Sequence, residues 1–400
     1  MELLDGAIRR YPWGSRTAIA ALQGRPMPSA TPEAELWFGA YESAPATLSD
    51  GRSLTSYIGA DPTGVLGPDS VKRFGSRLPF LLKVLAADEP LSLQVHPSRE
   101  QAEEGFAREN EDGVPPDSPL RNYVDANHKP ELLCAMADFE VLCGFRDPRH
   151  SASVLERLGL GGLSSVVALL RQTDPVQALR ETVTTLLTLP MDHHGALMQE
   201  AIGAAAPLAA GGGDDASDFA MLIDLGKRYP NDPGVFVTLL LNHVTLRPGE
   251  AIYMPAGNPH AYLSGVGVEI MAASDNVLRG GLTRKHVDVP ELLRVLDFRV
   301  LAEPLARPRT IAPGLAEWPV DVADFRLARL RLDQGAAETP IPIPGPKVLL
   351  CWSGQVRLDD GRRPITLRPG QAGFASADAG DVYASGFGEV FCAGIGAFDR

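Results

Sequence analysis

What this sequence is short of narrows its chemistry first. Its 400 residues include only four cysteines, Cys134, Cys143, Cys351 and Cys392, and no two of them form a CxxC pair. A cysteine zinc site and a dithiol redox motif are set aside, and free thiols in a reducing compartment are the expectation. Positive charge is scarce: 37 Lys and Arg stand against 50 Asp and Glu, a formal net charge of -13. A general affinity for nucleic acid or an anionic membrane is not expected, and an anionic small substrate would need a local cluster of cations. No apolar run is long enough to span a bilayer. Met1 to Ser15 has no apolar core like that of a signal peptide. The expectation is a cytoplasmic protein.

What is present is ordinary in bulk and specific in detail. The chain is 44% hydrophobic and 22% charged, a soluble globular mix long enough for two or three domains. Gly 40 and Pro 34 favour turns and short strands. Up to about Arg146 the apolar runs are short, and Leu81 to Val84 and Leu91 to Val95 read as strands. Ser98 with Gln101 reads as a capping box opening a helix through Arg108, followed by a loop from Asn110 to Pro119. From about Asp147 to Pro233 the spacing turns helical, in Val154 to Leu158, Val166 to Leu170, Val176 to Leu187 and Ala196 to Ala206. Strands return in Val235 to Leu241, Ala251 to Met254, Ala261 to Leu263 and Val266 to Met271. A helix is expected near Pro290 to Leu296, and strands and turns from about Ala302. One echo stands out: Leu246-Arg-Pro-Gly-Glu-Ala251 recurs as Leu367-Arg-Pro-Gly-Gln-Ala372. It reads either as two similar β units or as one turn solution used twice. No histidine follows the second copy, so no metal is expected there.

Three segments carry candidate chemistry. In Leu93-Gln-Val-His-Pro97, alternation puts Gln94 and His96 on one face of a strand. The pair is either solvent-facing or two ligands of one metal. In Tyr123-Val-Asp-Ala-Asn-His-Lys-Pro-Glu131, polar residues crowd the mouth of an apolar strand; Glu131 is there a solvated charge or a ligand, beside His128 and Lys129. Gly249-Glu-Ala-Ile-Tyr-Met-Pro-Ala-Gly-Asn-Pro-His260 has the spacing G-x5-P-x-G-x2-H. It resembles the second motif of cupins, whose histidine is a metal ligand in a small β-barrel, although Ser264 stands where that motif usually ends in Asn. Two imidazoles, a carboxylate and an amide oxygen suit zinc, and also iron or manganese.

The stretch Tyr123 to Glu131 also resembles the signature of the type I phosphomannose isomerase family. So do Tyr11-Pro-Trp-Gly14, Glu35-Leu-Trp37, Leu78 to Lys83, Leu91 to Pro97, and Ala273 to Lys285. The resemblance spans about Leu4 to Phe298. It implies a mainly β fold of two cupin-type jelly-roll β-barrels plus a helical domain. The units would be 1–146 with 234–300 (catalytic), 147–233 (helical insertion) and 301–400 (a degenerate cupin-like unit). It implies one Zn2+ per chain, held by Gln94, His96, Glu131 and His260. It gives Arg279 a catalytic role, puts Ser92, Lys83 and Lys285 at the sugar-phosphate site, and makes Lys129, Tyr262 and Glu269 proton carriers or substrate contacts. The reaction would interconvert mannose 6-phosphate and fructose 6-phosphate through a metal-stabilised enediol(ate). A small-molecule partner and a monomer are expected.

Whether Glu269 or Lys129 is the base stays open from sequence. Two rival functions are a cupin metal-dependent oxygenase and a non-enzymatic sugar-binding cupin. Gln94 as a fourth donor argues against the first, and Arg279 with Lys129 against the second. His150, His193, His194 and His243 lie outside the motifs and read as structural, with His193 and His194 at a solvated helix start.

Overall fold

Glycine and proline cut the chain into short segments, and those that can bury one face become strands. The computed structural model describes residues 1–396, with their side chains except at 191–193. Two antiparallel sheets and a block of helices result. The fold is mainly β.

Eleven strands form the first sheet. Its spine is the long strand His260–Ala272. The later part of the spine lies between Phe80–Ala87 and Glu131–Ala135. Its beginning pairs with Phe139–Phe145 and, at His260, with Gln94 of Leu93–Val95. One strand therefore carries residues across two neighbourhoods of the sheet, where the sequence pattern suggests two strands divided at Ser264.

The helices fill the chain between Phe145 and Leu241: Pro148–Arg157, Ser164–Leu170, Pro175–Leu187, Met191–Ala210, Ala216–Arg228 and Gly234–Thr238. Asp147 and Asp174 cap two of them by accepting first-turn N–H groups, each followed by a proline at the first helical position. Leu179, Val183 and Leu186 share one buried stripe, each contributing roughly 1.5–3 kcal/mol through burial. They belong to a core that also takes Leu93, Val95, Leu142 and Phe145 from the sheet. The helices thus seal the side of strand Leu93–Val95 opposite to Gln94.

Two local readings are corrected. The run from Val235 is a helix, Gly234–Thr238, and the strand begins only at Leu241. Asp232 Oδ1 accepts the Gly234 N–H at 2.8 Å and starts the turn. The helix is buried on every side, so no alternation distinguishes it from a strand. The helix Ala216–Arg228 is absent from the sequence expectations, although Phe219, Leu222 and Leu225 have helical spacing and are buried. The capping box at Ser98 and Gln101 is present, and its helix runs Arg99–Glu111.

Ten strands form the second sheet. Most come from the C-terminal hundred residues, but Glu2–Asp5 and Thr47–Leu48 join it, with Leu3 opposite Gly373 and Leu4 opposite Leu48. The Met1 amino group is buried against Asp360 at 2.6 Å.

The repeated Leu-Arg-Pro-Gly segment makes the same turn in both sheets. Gly249 and Gly370 have φ of 92° and 77°, values that favour glycine. The Arg247 N–H bonds Glu250 Oε2 at 2.8 Å, and the Arg368 N–H bonds Gln371 Oε1 at 2.9 Å. The likeness extends into strand register. Ala251 to Met254 pair with Cys134 to Glu131, and Ala372 to Ala375 pair with Leu350 to Lys347. Glu131 pairs next with Met271, and Lys347 with Gly394. His260 pairs with Cys143 and Gln94, and Tyr383 with Asp359 and Pro340.

Candidate metal centre

Strand pairing assembles the site. In an antiparallel sheet, directly opposed residues share a face. Gln94 is opposed by His260 on one side and Arg279 on the other, so the three stand in one row. His96 follows just past the strand end, two residues from Gln94. Glu131 opens its own strand one pairing step from Met271 of the spine.

His96, Glu131 and His260 converge. Each offers a donor atom within 4.8 Å of the others. Glu131 Oε1 lies 3.4 Å from His96 Nε2, and Oε2 lies 3.3 Å from His260 Nε2. These approaches lack hydrogen-bond geometry: His96 Nε2, Glu131 Oε2 and His260 Nε2 are buried without partners. Such atoms are costly unless something else coordinates them. The rings are fixed from behind, His96 Nδ1 by Asn276 O at 2.7 Å and His260 Nδ1 by Asn258 O at 3.1 Å. Hydrogen bonds at Nδ1 leave the Nε2 lone pairs pointing inward.

The electrostatics agree. Burial, reinforced by the Lys129 charge, lowers His96 to about 4, so its imidazole is neutral. Burial alone would raise Glu131. The charge of Lys129 Nζ, 3.1 Å away, leads what outweighs it and holds Glu131 well below the usual carboxylate range. Two imidazoles and a carboxylate are a donor set for a borderline divalent ion such as zinc.

The loop before Glu131 is stitched to the Ala273–Asn276 segment. Asn276 Oδ1 accepts the Val124 N–H, and Asn276 Nδ2 donates to the Asp125 and Asn127 carbonyls. Asp125 accepts from the Ser274 hydroxyl and the Asp275 N–H. Because Asn276 also binds His96, the stitching fixes the ring. Sequence reading assigns these residues no role, since nothing local pairs them. His128 turns away, to Asp324 Oδ2 at 2.9 Å.

Beside the site runs a buried polar chain. Trp37 Nε1–H donates to Glu35 Oε2 at 2.8 Å; Lys83 Nζ lies 3.2 Å from Glu35 Oε1 and 2.5 Å from Glu269 Oε2; the Tyr262 hydroxyl donates to Glu269 Oε1. Burial opposes the Lys83 charge, yet Glu269 and Glu35 hold its pKa well above the ordinary value. Burial raises Glu269 despite Lys83, with Glu131 adding to the rise. Lys83, expected at the phosphate, is therefore enclosed between two carboxylates. Glu35 is the member that sequence reading misses.

Arg279 has no hydrogen bond or ion pair among the described residues, and burial lowers its pKa. Lys285 is exposed, and the Arg279 charge is the first cause of its lowered pKa. Two cations repelling one another, with no ion pair among the described residues, are the kind of local positive charge an anionic substrate would need. Ser92 is half-buried two residues before Gln94. A second group, His150, Asp215 and Asp218, is already satisfied: Arg146, Arg157 and His243 hold its carboxylates. His194 is buried, not solvated, with Leu189 O and Asn231 O at its ring nitrogens. The His193 side chain lies outside the described residues.

Among known proteins, residues 1–148 match the family model described as phosphomannose isomerase type I, catalytic domain. The chain is 36% identical to the mannose-6-phosphate isomerase of Escherichia coli K12 over 398 residues, covering 98% of each. It is 30% identical to mannose-6-phosphate isomerase 1 of Arabidopsis thaliana, over 94% of this chain and 90% of the relative. It superposes with a TM-score of 0.89 on mannose 6-phosphate isomerase from Salmonella typhimurium bound to its substrate and a zinc atom. That structure is 36% identical, with 99% of this chain and 100% of that one covered. With likeness running over nearly the whole of both partners, the chain belongs to the type I phosphomannose isomerase family.

Proposed function

We propose that this protein interconverts mannose 6-phosphate and fructose 6-phosphate at a zinc centre held by His96, Glu131 and His260, with Gln94 as the fourth donor. The observation that carries the reading is the trio of partnerless buried donors, His96 Nε2, Glu131 Oε2 and His260 Nε2, with Arg279, unpaired among the described residues, in the same row as Gln94 and His260. Bound there, zinc supplies Lewis-acid stabilisation of negative charge on a sugar oxygen without redox chemistry.

The protein's own residues supply the rest. Arg279, one strand from Gln94, presents a planar fork to the oxygen that gains charge as the C2 proton leaves. Lys285 provides a cation for the phosphate, and Ser92, two residues before Gln94, is taken as a further contact of the sugar phosphate. Of the two bases left open by the sequence, we favour Glu269. Its proton affinity is raised by burial, and the Tyr262 hydroxyl on Oε1 gives a path for the proton. Lys129 neutralises Glu131, and Lys83 holds Glu269 in place.

We read the two sheets as two cupin-type jelly rolls: residues 1–146 with 234–300 as the catalytic unit, 147–233 as the helical insertion and 301–400 as the C-terminal unit. Their matching register supports this, with Glu2–Asp5 and Thr47–Leu48 completing the second sheet. No helix among the described residues is long and apolar enough to cross a membrane. Four free buried cysteines fit a reducing, cytoplasmic setting, and we take the protein as a monomer. Metal analysis with a coupled isomerase assay, before and after chelation, tests the reading. Turnover should vanish with the metal and return with zinc; full turnover by metal-free protein would overturn it.

A further inference from the structure

Beyond the donors and cations already assigned, the Tyr41 hydroxyl is a buried polar group near the site that no role yet accounts for. Tyr41 follows strand Glu35–Phe38, and its ring packs edge-on against Trp37 with centroids 5.4 Å apart. It joins an apolar patch formed by Trp37, Leu81 and Met271. Strand register says which side of the sheet this patch occupies. Trp37 is opposed by Lys83 and Lys83 by Glu269. Leu81 is opposed by Met271 and Met271 by Glu131. Opposed residues share a face, and so do residues two apart on a strand. The patch under Tyr41 therefore lies on the same face as Glu131, Lys83 and Glu269.

The Tyr41 hydroxyl is buried and has no hydrogen-bond partner, an uncommon condition for a phenol. The charges it feels are those of Asp275, Asp125, Lys83 and Glu131, in keeping with the face that the register assigns to its patch. Burial first, then the two aspartates, keep its pKa well above the ordinary value, so it stays a neutral hydroxyl. A neutral O–H can both donate to and accept from a sugar hydroxyl, whereas the lysines and arginines nearby only donate.

We propose that Tyr41 is a substrate-binding residue whose hydroxyl pairs with a hydroxyl of the phosphorylated sugar lying over Glu131 and Lys83. The inference rests on the isomerase reading above and adds a contact that helps to select the sugar: a site built to meet a hydroxyl rejects a ligand lacking it.

The test is calorimetric titration with an open-chain hexitol 6-phosphate, which carries the hydroxyls and the phosphate but no carbonyl and cannot turn over. Tyr41→Phe is expected to bind it about 3- to 10-fold more weakly than wild type, the range for one neutral hydrogen bond. Metal content and thermal stability should not fall, because the free protein loses only an unsatisfied group. Across a series of monodeoxy hexitol phosphates, one compound should bind both proteins equally, the one lacking the partner hydroxyl. If wild type binds the hexitol phosphate and Tyr41→Phe binds it less than threefold more weakly, the Tyr41 contact is wrong and the isomerase reading stands. If wild type binds it no better than inorganic phosphate, the isomerase reading falls and the contact falls with it.

Discussion

His243 joins the helical segment to the catalytic sheet, and its contribution can be worked out from its surroundings. Nδ1 lies 3.0 Å from Asp218 Oδ1 of helix Ala216–Arg228, and Nε2 lies 2.7 Å from Glu140 Oε1 of strand Phe139–Phe145. Arg146 also binds Asp218, at 2.6 Å. Burial disfavours the imidazolium, but hydrogen bonds to the two carboxylates outweigh it and raise the pKa from 6.5 to about 9. A folded-state pKa above the unfolded one stabilises the protein most at low pH, and the effect is lost as pH rises through the folded value. Linkage gives roughly 3 kcal/mol near pH 6, about 2.5 near pH 7 and less than about 0.5 at pH 9. The perturbation is His243→Gln, which removes the titration and leaves Arg146 on Asp218. Urea unfolding followed by helical circular dichroism at pH 6, 7, 8 and 9 measures the difference from wild type. That difference should shrink steadily with rising pH. A difference that stays flat between pH 6 and 9 refutes an imidazolium clamp.

His260→Ala is expected to lose zinc and turnover together, as read by elemental analysis and the coupled assay; a zinc-replete, active variant would sink the proposed centre. Arg279→Ala should lower kcat and kcat/KM by similar factors, on the order of a hundredfold, while Lys285→Ala should mainly raise KM. Steady-state kinetics on folded protein decides, and an Arg279→Ala kcat near wild type removes the arginine from the chemistry. His194→Ala should keep zinc content and turnover but lose roughly 1–3 kcal/mol of stability, because it uncovers the two carbonyls that its ring meets. Loss of bound zinc in that variant would mean the centre has been misplaced.

Much of this is legible in the sequence because the informative residues are local. Alternation in Leu93–Val95 correctly separates the buried Leu93 and Val95 from Gln94, and the capping box at Ser98 is a three-residue pattern. What escapes the sequence depends on distant partners. Glu35 and Lys83 are 48 residues apart and meet only because their strands pair. The helix Gly234–Thr238 looks like a strand because complete burial erases periodicity. His194 reads as polar and exposed until Leu189 and Asn231 close over it. Nothing near residue 2 announces that Glu2–Asp5 will join a sheet most of whose strands lie some three hundred residues away.

The shared register of the two sheets lets each donor position be read twice. Opposite the spine strand, Gln94 corresponds to Pro340 and His260 to Tyr383; two residues on, His96 corresponds to Pro342. Glu131 corresponds to Lys347 and Glu269 to Cys392. The C-terminal sheet thus repeats the scaffold with opposite polarity: an ammonium where the first has its carboxylate, and pyrrolidine rings where it has an amide and an imidazole. Lys347 is itself buried, and burial lowers its pKa. One backbone pattern therefore specifies where five side chains stand without specifying any of their chemistry, and converting the second mould into a copy of the first would take simultaneous changes on three different strands.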